Sequence, residues 1–501
     1  MRRSEPLAGA GALARASWVV WRRHTASSLG VRPRAVDAGI ALGLVLCAGL
    51  AGLVSTVILG AFAATGDLPA DVDRIPFTRI TAAGAVLAAA LPQLLLAATR
   101  PRSTALGDLA SVLPVGVAAR TTGERMPTVL LGFAFAVVLA APLGVFLLNL
   151  LGAQPARAAG AVGAHLVLLA AVALACPAAF ELLYGLACRM RLPHGYATGI
   201  AAVVLLVAIA ALCGPFLVPR PLPEAPFPLS PVEATAQLAA TVDPARAAVA
   251  GGVLLAWTSV ALALGVVAAR HPTRVPAAEY TRILTGARLP RGVRAAGVAV
   301  HALALVRLPQ FLILGLGSVV LAIALATPAA RELSALTEPF TGVPLVAPFA
   351  IGMFAFGLTH GTSWWVRGIG SDARRITGQR LLASAVVGAV PAAAAAAVLV
   401  GTGTTSVGTA AQRLAAGVVL CLAASLGGIL VPWSQQSPLS TTLTSAVSFA
   451  LFALAVVPLQ LAVDGWAPPA AEAALAASAL LLAAAWAAVT RRPRVDDLTI
   501  A

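Results

Sequence analysis

The chain has 501 residues, 59% of them hydrophobic and only 11% charged, with a net charge of +15. A soluble domain carries about 25% charged residues, so the composition excludes a water-soluble globule and indicates an all-α integral membrane protein. All 34 basic residues are arginine. The lack of lysine excludes a phosphate-binding G-x-x-x-x-G-K-[ST] loop, a Schiff base and a lysine general base.

Residues 1–35 are polar and basic, too long a run ahead of the first apolar stretch for a cleaved secretory signal. Within them, Arg15, Trp18, Trp21, Arg22 and Arg23 lie on a stretch, 14 to 29, that is too short and too charged to cross a bilayer. It reads as an interfacial amphipathic helix, with the tryptophans at headgroup level and the guanidinium groups reaching toward anionic lipid. Ordinary juxtamembrane anchoring explains it as well as a mechanical role does.

A crossing helix needs about 20 mostly apolar residues. Twelve such windows follow: 39 to 62, 81 to 98, 127 to 151, 160 to 187, 197 to 218, 248 to 268, 309 to 328, 343 to 359, 381 to 400, 412 to 432, 443 to 463 and 471 to 489. Twelve crossings put both termini on one side. The expected organisation is a first six-span half over 36–270, a second over 271–490 with a basic linker at 270–308, and a tail at 491–501. Residues 291 to 308 sit before the seventh window as 14 to 29 sit before the first. Small-residue runs such as Gly49 to Gly52 are expected at close helix contacts.

With a cytoplasmic N-terminus, only Arg74, Arg79, Arg157, Arg220, Arg246, Arg331 and Arg413 fall outside, and the other 27 of the 34 arginines fall inside. That asymmetry is what the positive-inside rule requires, and it places the chain as a multi-pass protein of the cytoplasmic membrane. The net charge belongs to that face and gives no reason to invoke nucleic acid. Cys47, Cys176, Cys188, Cys213 and Cys421 lie in or beside apolar stretches without a C-x-x-C, against a disulfide framework or a zinc site.

The halves share a motif. Arg120-Thr-Thr-Gly123-Glu124-Arg125 is echoed by Arg375-Ile-Thr-Gly378-Gln379-Arg380 at an offset of 255 residues, each copy just before an apolar window and after the second window of its half. Six spans per half make the halves parallel repeats; the plainer alternative is two basic anchors with a glycine between them. Ionisable residues inside the windows are few. Glu181, about two turns from Arg189 and Arg191, reads as a local ion pair or interfacial anchor, or as part of a pathway or of coupling, and His165 as a packed histidine or a proton relay. Gln93, Asn149, Gln310 and Ser434-Gln435-Gln436-Ser437 are expected to bond across helices or to face water in the loops.

These residues resemble the permease subunits of type-2 ABC exporters, in the large twelve-span form of high-GC Gram-positive bacteria. The likeness rests on Leu113-Pro114-Val115 followed by Arg120 and Gly123-Glu124-Arg125. It rests also on Phe356-Gly357, His360-Gly361 and Trp364-Trp365, followed by Asp372, Arg375 and Gly378-Gln379-Arg380, and on the helix ahead of the first span. The resemblance implies that residues 100 to 125 and 361 to 380 are loops coupling to a cytoplasmic ATP-binding-cassette ATPase, in two copies. It implies that ATP and Mg are bound by that subunit, with no cofactor or metal on this chain and no catalytic residue of its own. Short re-entrant helices are implied between the fifth and sixth spans. One chain or a homodimer could form the pore. Two rivals remain open: a twelve-span ion-coupled carrier working through Glu181 or His165, and a polyprenyl-phosphate glycosyltransferase with a cation at Asp67, Asp71 and Asp73.

Overall fold

A computed structural model describes residues 5–29, 32–65, 74–100, 109–110, 112, 115–151, 155–216, 228–241, 243–273, 290, 292–327, 341–360, 373–432, 443–445, 447–448, 450–452, 455 and 468–491. The described residues form helices and turns without a strand. In chain order the long elements are α1 (Glu5–Leu29), α2 (Pro33–Thr65), α3 (Ile75–Thr99), α4 (Val117–Leu150), α5 (Pro155–Arg189), α6 (His194–Cys213), α7 (Pro231–Ala240), α8 (Pro244–Arg270), α9 (Val293–Val306), α10 (Pro309–Leu325), α11 (Ala373–Gly401), α12 (Val407–Leu430) and α13 (Pro468–Arg491).

Among the described residues, seven helices are long and apolar enough to cross a membrane: Ile75–Ala98, Val117–Leu150, Pro155–Arg189, His194–Phe216, Pro244–Arg270, Arg375–Gly401 and Val407–Leu430. α9 and α10 bring the number to eight when taken together as one span bent by 79°. This is an all-α chain with the helices of a multi-pass membrane protein. α2 and α13 coincide with the first and last expected windows, and α10 with the seventh.

The eighth window, 343 to 359, departs from expectation. It is one α-turn (Val343–Val346), a 3-10 helix of eight residues (Ala347–Phe354) and another short turn (Gly357–His360). Pro344 and Pro348 stand four apart, and a proline in helix interior removes a backbone donor and clashes with the preceding turn. Most of the eleventh window, 443 to 463, lies outside the described residues.

The residues divide into two compact units. One gathers Met1–Val20, Asp37–Leu192 and Val204–Ala277, the other Trp21–Val36, Pro193–Val203 and Ala278–Ala501. In the first unit α3 packs against α4 and α5, and α5 against α8. Alanines make this close packing: Ala82, Ala83, Ala89, Ala136 and Ala164 share one core with Leu168 and Phe216. In the second unit the 343–354 segment takes the place that α3 holds in the first, packed on α11 and α12, with α12 against α13. Its Phe349 wedges between glycines, since a Cβ on Gly388 would come within 3.0 Å of it and one on Gly417 within 2.5 Å.

Close approaches fall at these glycines and at Gly84, Gly132, Gly199, Gly427 and Gly428, where a Cβ would meet a neighbour at 3.0 Å or less. The expectation for Gly49 and Gly52 is corrected: a Cβ at either meets nothing within 4 Å.

Candidate functional site: the two R-x-T-G-x-R motifs

Both copies of the motif stand in the first two or three turns of a long apolar helix, α4 or α11, rather than in a loop. α4 spans 34 residues, about 51 Å at 1.5 Å per residue, against a hydrocarbon layer of about 30 Å. Its first turns thus have length to spare beyond the apolar layer. The described part of the preceding segment, Arg100, 109–110, 112 and 115–116, includes neither Leu113 nor Pro114; these two, with Trp364, Trp365 and Asp372, lie outside the described residues.

In the first unit the charged members of the motif are compensated. Glu124 pairs with Arg100 at 3.5 Å, and Arg125 with Glu181 of α5 at 3.4 Å, the side chains of the latter pair being 15% and 10% exposed. The expected Glu181 partner is therefore corrected. Arg189 and Arg191 are exposed, and the cation that reaches Glu181 comes from the neighbouring span instead. The carbonyl of Arg125 accepts a hydrogen bond from the Thr128 hydroxyl at 2.7 Å. Gly123 is buried beneath α1: a Cβ there would stand 2.7 Å from the carbonyl oxygen of Ala10 and 2.8 Å from Cβ of Leu13.

α1 is 25 residues long, longer at its start than the stretch read from sequence. Ala10, Leu13, Ser17 and Trp21 are buried and follow one another at helical spacing of three or four, while Arg15 and Arg23 are exposed. Trp18 and Arg22 are half-buried. Trp21 is only 5% exposed, so the protein itself covers the ring expected at headgroup level.

The second unit repeats this arrangement with different chemistry. α9 lies on α11, and a Cβ on Gly297 of α9 would fall 2.5 Å from the side-chain amide of Gln379. In one unit the motif supplies the glycine, in the other it supplies the side chain. Arg380 is 7% exposed, with its guanidinium 5.1 Å from the centre of the Phe356 ring and its carbonyl accepting from the Ser384 hydroxyl at 2.9 Å. Arg375 is exposed, and Gly378 is half-buried beside it.

A second polar cluster was not foreseen. Arg79 stands within α3, one turn past its start, although the sequence placed it in the preceding loop. Its Nε donates to Glu233 Oε2 at 2.7 Å and its Nη2 to Oε1 at 3.0 Å. Gln237 Nε2 donates to Oε1 at 2.7 Å. Glu233 belongs to α7, a ten-residue helix between the fifth and sixth windows, packed against α3, α5 and α8. Ser230 caps α7 by accepting from the Glu233 amide at 3.1 Å. The S-x-x-E spacing of a capping box was the available signal for this helix.

His165 shares a hydrogen bond of 3.2 Å with Thr81 of α3, and its Nδ1 lies 2.8 Å from the Ala161 carbonyl. Gln93 donates across to Val129 O at 2.9 Å, whereas Asn149 donates within its own helix to Val145 O at 2.8 Å. Gln310 is buried, with its Oε1 unbonded among the described residues, and 434–437 fall outside them, as do Asp67, Asp71 and Asp73. Among the described residues no three His, Cys, Asp or Glu side chains gather as metal ligands would. No family model, curated protein or solved structure matches the chain.

Proposed function

We propose that the chain is the membrane-spanning permease subunit of an ABC-type exporter. In this reading it moves an amphipathic or lipid-like substrate across the cytoplasmic membrane, using ATP hydrolysed with Mg on a separate cytoplasmic subunit present in two copies. The reading includes twelve spans in two parallel halves, with both termini in the cytoplasm and transport by rocking of one half against the other.

The observation that carries it is the recurrence of the motif at the start of a long apolar helix in each unit, each time under a shorter helix, α1 or α9. A motif fixed to a rigid span and clamped by a second helix transmits rigid-body motion, where a slack loop would absorb it. The 27 arginines on the motif's side fit the same orientation. An ion-coupled carrier would have to work through Glu181 or His165, and both are engaged by neighbours, Arg125 and Thr81.

The test is charge reversal to Glu of Arg120 and Arg375, the two motif arginines that are neither buried nor paired with Glu181 as Arg125 is. The variant is expected to reach the membrane at normal level and to lose the ATPase stimulation seen with the co-purified partner. Normal stimulated hydrolysis would refute the reading, as would recovery of the tagged chain from its membrane without any ATPase.

A further inference from the structure

We draw no further inference here: the strongest candidate, the apolar groove of about 460 Å³ that α11 and α12 of the second unit form over the Phe349 ring, carries nothing because nothing in the structure shows what covers it.

Discussion

The buried pair Arg79–Glu233 permits the sharpest test of how the first unit is held together. The side chains are 7% and 3% exposed, and two parallel hydrogen bonds of 2.7 and 3.0 Å join them, with Gln237 adding a third contact to the carboxylate. Glu233→Gln keeps the shape and removes the charge, so the Arg79 guanidinium stays in place without its counter-ion. Breaking a buried pair from one side costs about 3–5 kcal/mol, whereas replacing both ions with apolar groups of similar volume is often neutral. Arg79→Met with Glu233→Leu together are therefore expected to lie within about 1 kcal/mol of the unaltered chain, far above either single variant.

The cysteines provide the readout. Cys176 and Cys213 are buried in the same unit as the pair, while Cys421 is buried in the other. In a background with Cys47, Cys188 and Cys421 replaced by alanine, a thiol-reactive dye reports the thermal opening of the first unit alone. Glu233→Gln should lower the midpoint clearly, and the double variant should restore most of it. A Glu233→Gln midpoint equal to that of the background would mean that water reaches the carboxylate and that α7 is not locked onto α3.

Other expectations follow from single contacts. Gly123→Val pushes a side chain into Ala10 and Leu13 of α1; overpacking costs about 1–3 kcal/mol, so tryptic cleavage at the exposed Arg15 should accelerate roughly tenfold or more, and unchanged cleavage would show that α1 does not rest there. Gly417→Val meets the Phe349 ring, where the added Cβ would sit 2.5 Å away, and should lower the unfolding midpoint read through Cys421; Gly52→Ala, with open space around it, should leave stability unchanged or raise it by up to about 1 kcal/mol. Glu181→Gln should destabilise the first unit by about 3 kcal/mol, with Arg125→Met added to it relieving the loss and Arg189→Met leaving the midpoint unaltered; an effect of Arg189→Met equal to that of Glu181→Gln would move the pairing back to Arg189.

The long helices were legible because hydrophobic length is a one-dimensional property, and a run of 20 apolar residues leaves the backbone few alternatives in lipid. The 343–359 window shows where that logic gives way. Its composition suits a span, but Pro344 and Pro348 remove ladder donors four residues apart, and the chain takes a tighter 3-10 path held between Gly388 and Gly417. Pairings were less legible. Glu181 was assigned to arginines eight and ten residues further along the chain, whereas its actual partner, Arg125, is 56 positions away and arrives only because α4 and α5 pack together. Arg79 was placed outside the windows for the same reason: a charge near the end of an apolar window looks solvated until the partner that buries it, here Glu233, is known.

The repeated motif marks the limit of reading the two halves as equivalents. Arg120-Thr-Thr-Gly-Glu-Arg and Arg375-Ile-Thr-Gly-Gln-Arg differ at the acid alone among their polar positions beyond the threonines, Glu124 against Gln379. That exchange alters the charge each corner carries. In the first unit Glu124 engages Arg100 and Glu181 engages Arg125, so the corner is neutralised from within. In the second, Gln379 packs under Gly297 and cannot offer a charge, and among the described residues no carboxylate pairs with the exposed Arg375 or the buried Arg380. The two helix starts thus share a motif and a covering helix, but among the described residues only the first is compensated by carboxylates. Installing Gln379→Glu tests this directly: the acid stands one helical turn past Arg375, a pair worth about 0.3–0.5 kcal/mol, so the opening of the second unit read through Cys421 should come no earlier than in the unaltered chain. A clearly earlier opening in that variant would show that the second corner does not accept an acid as the first does.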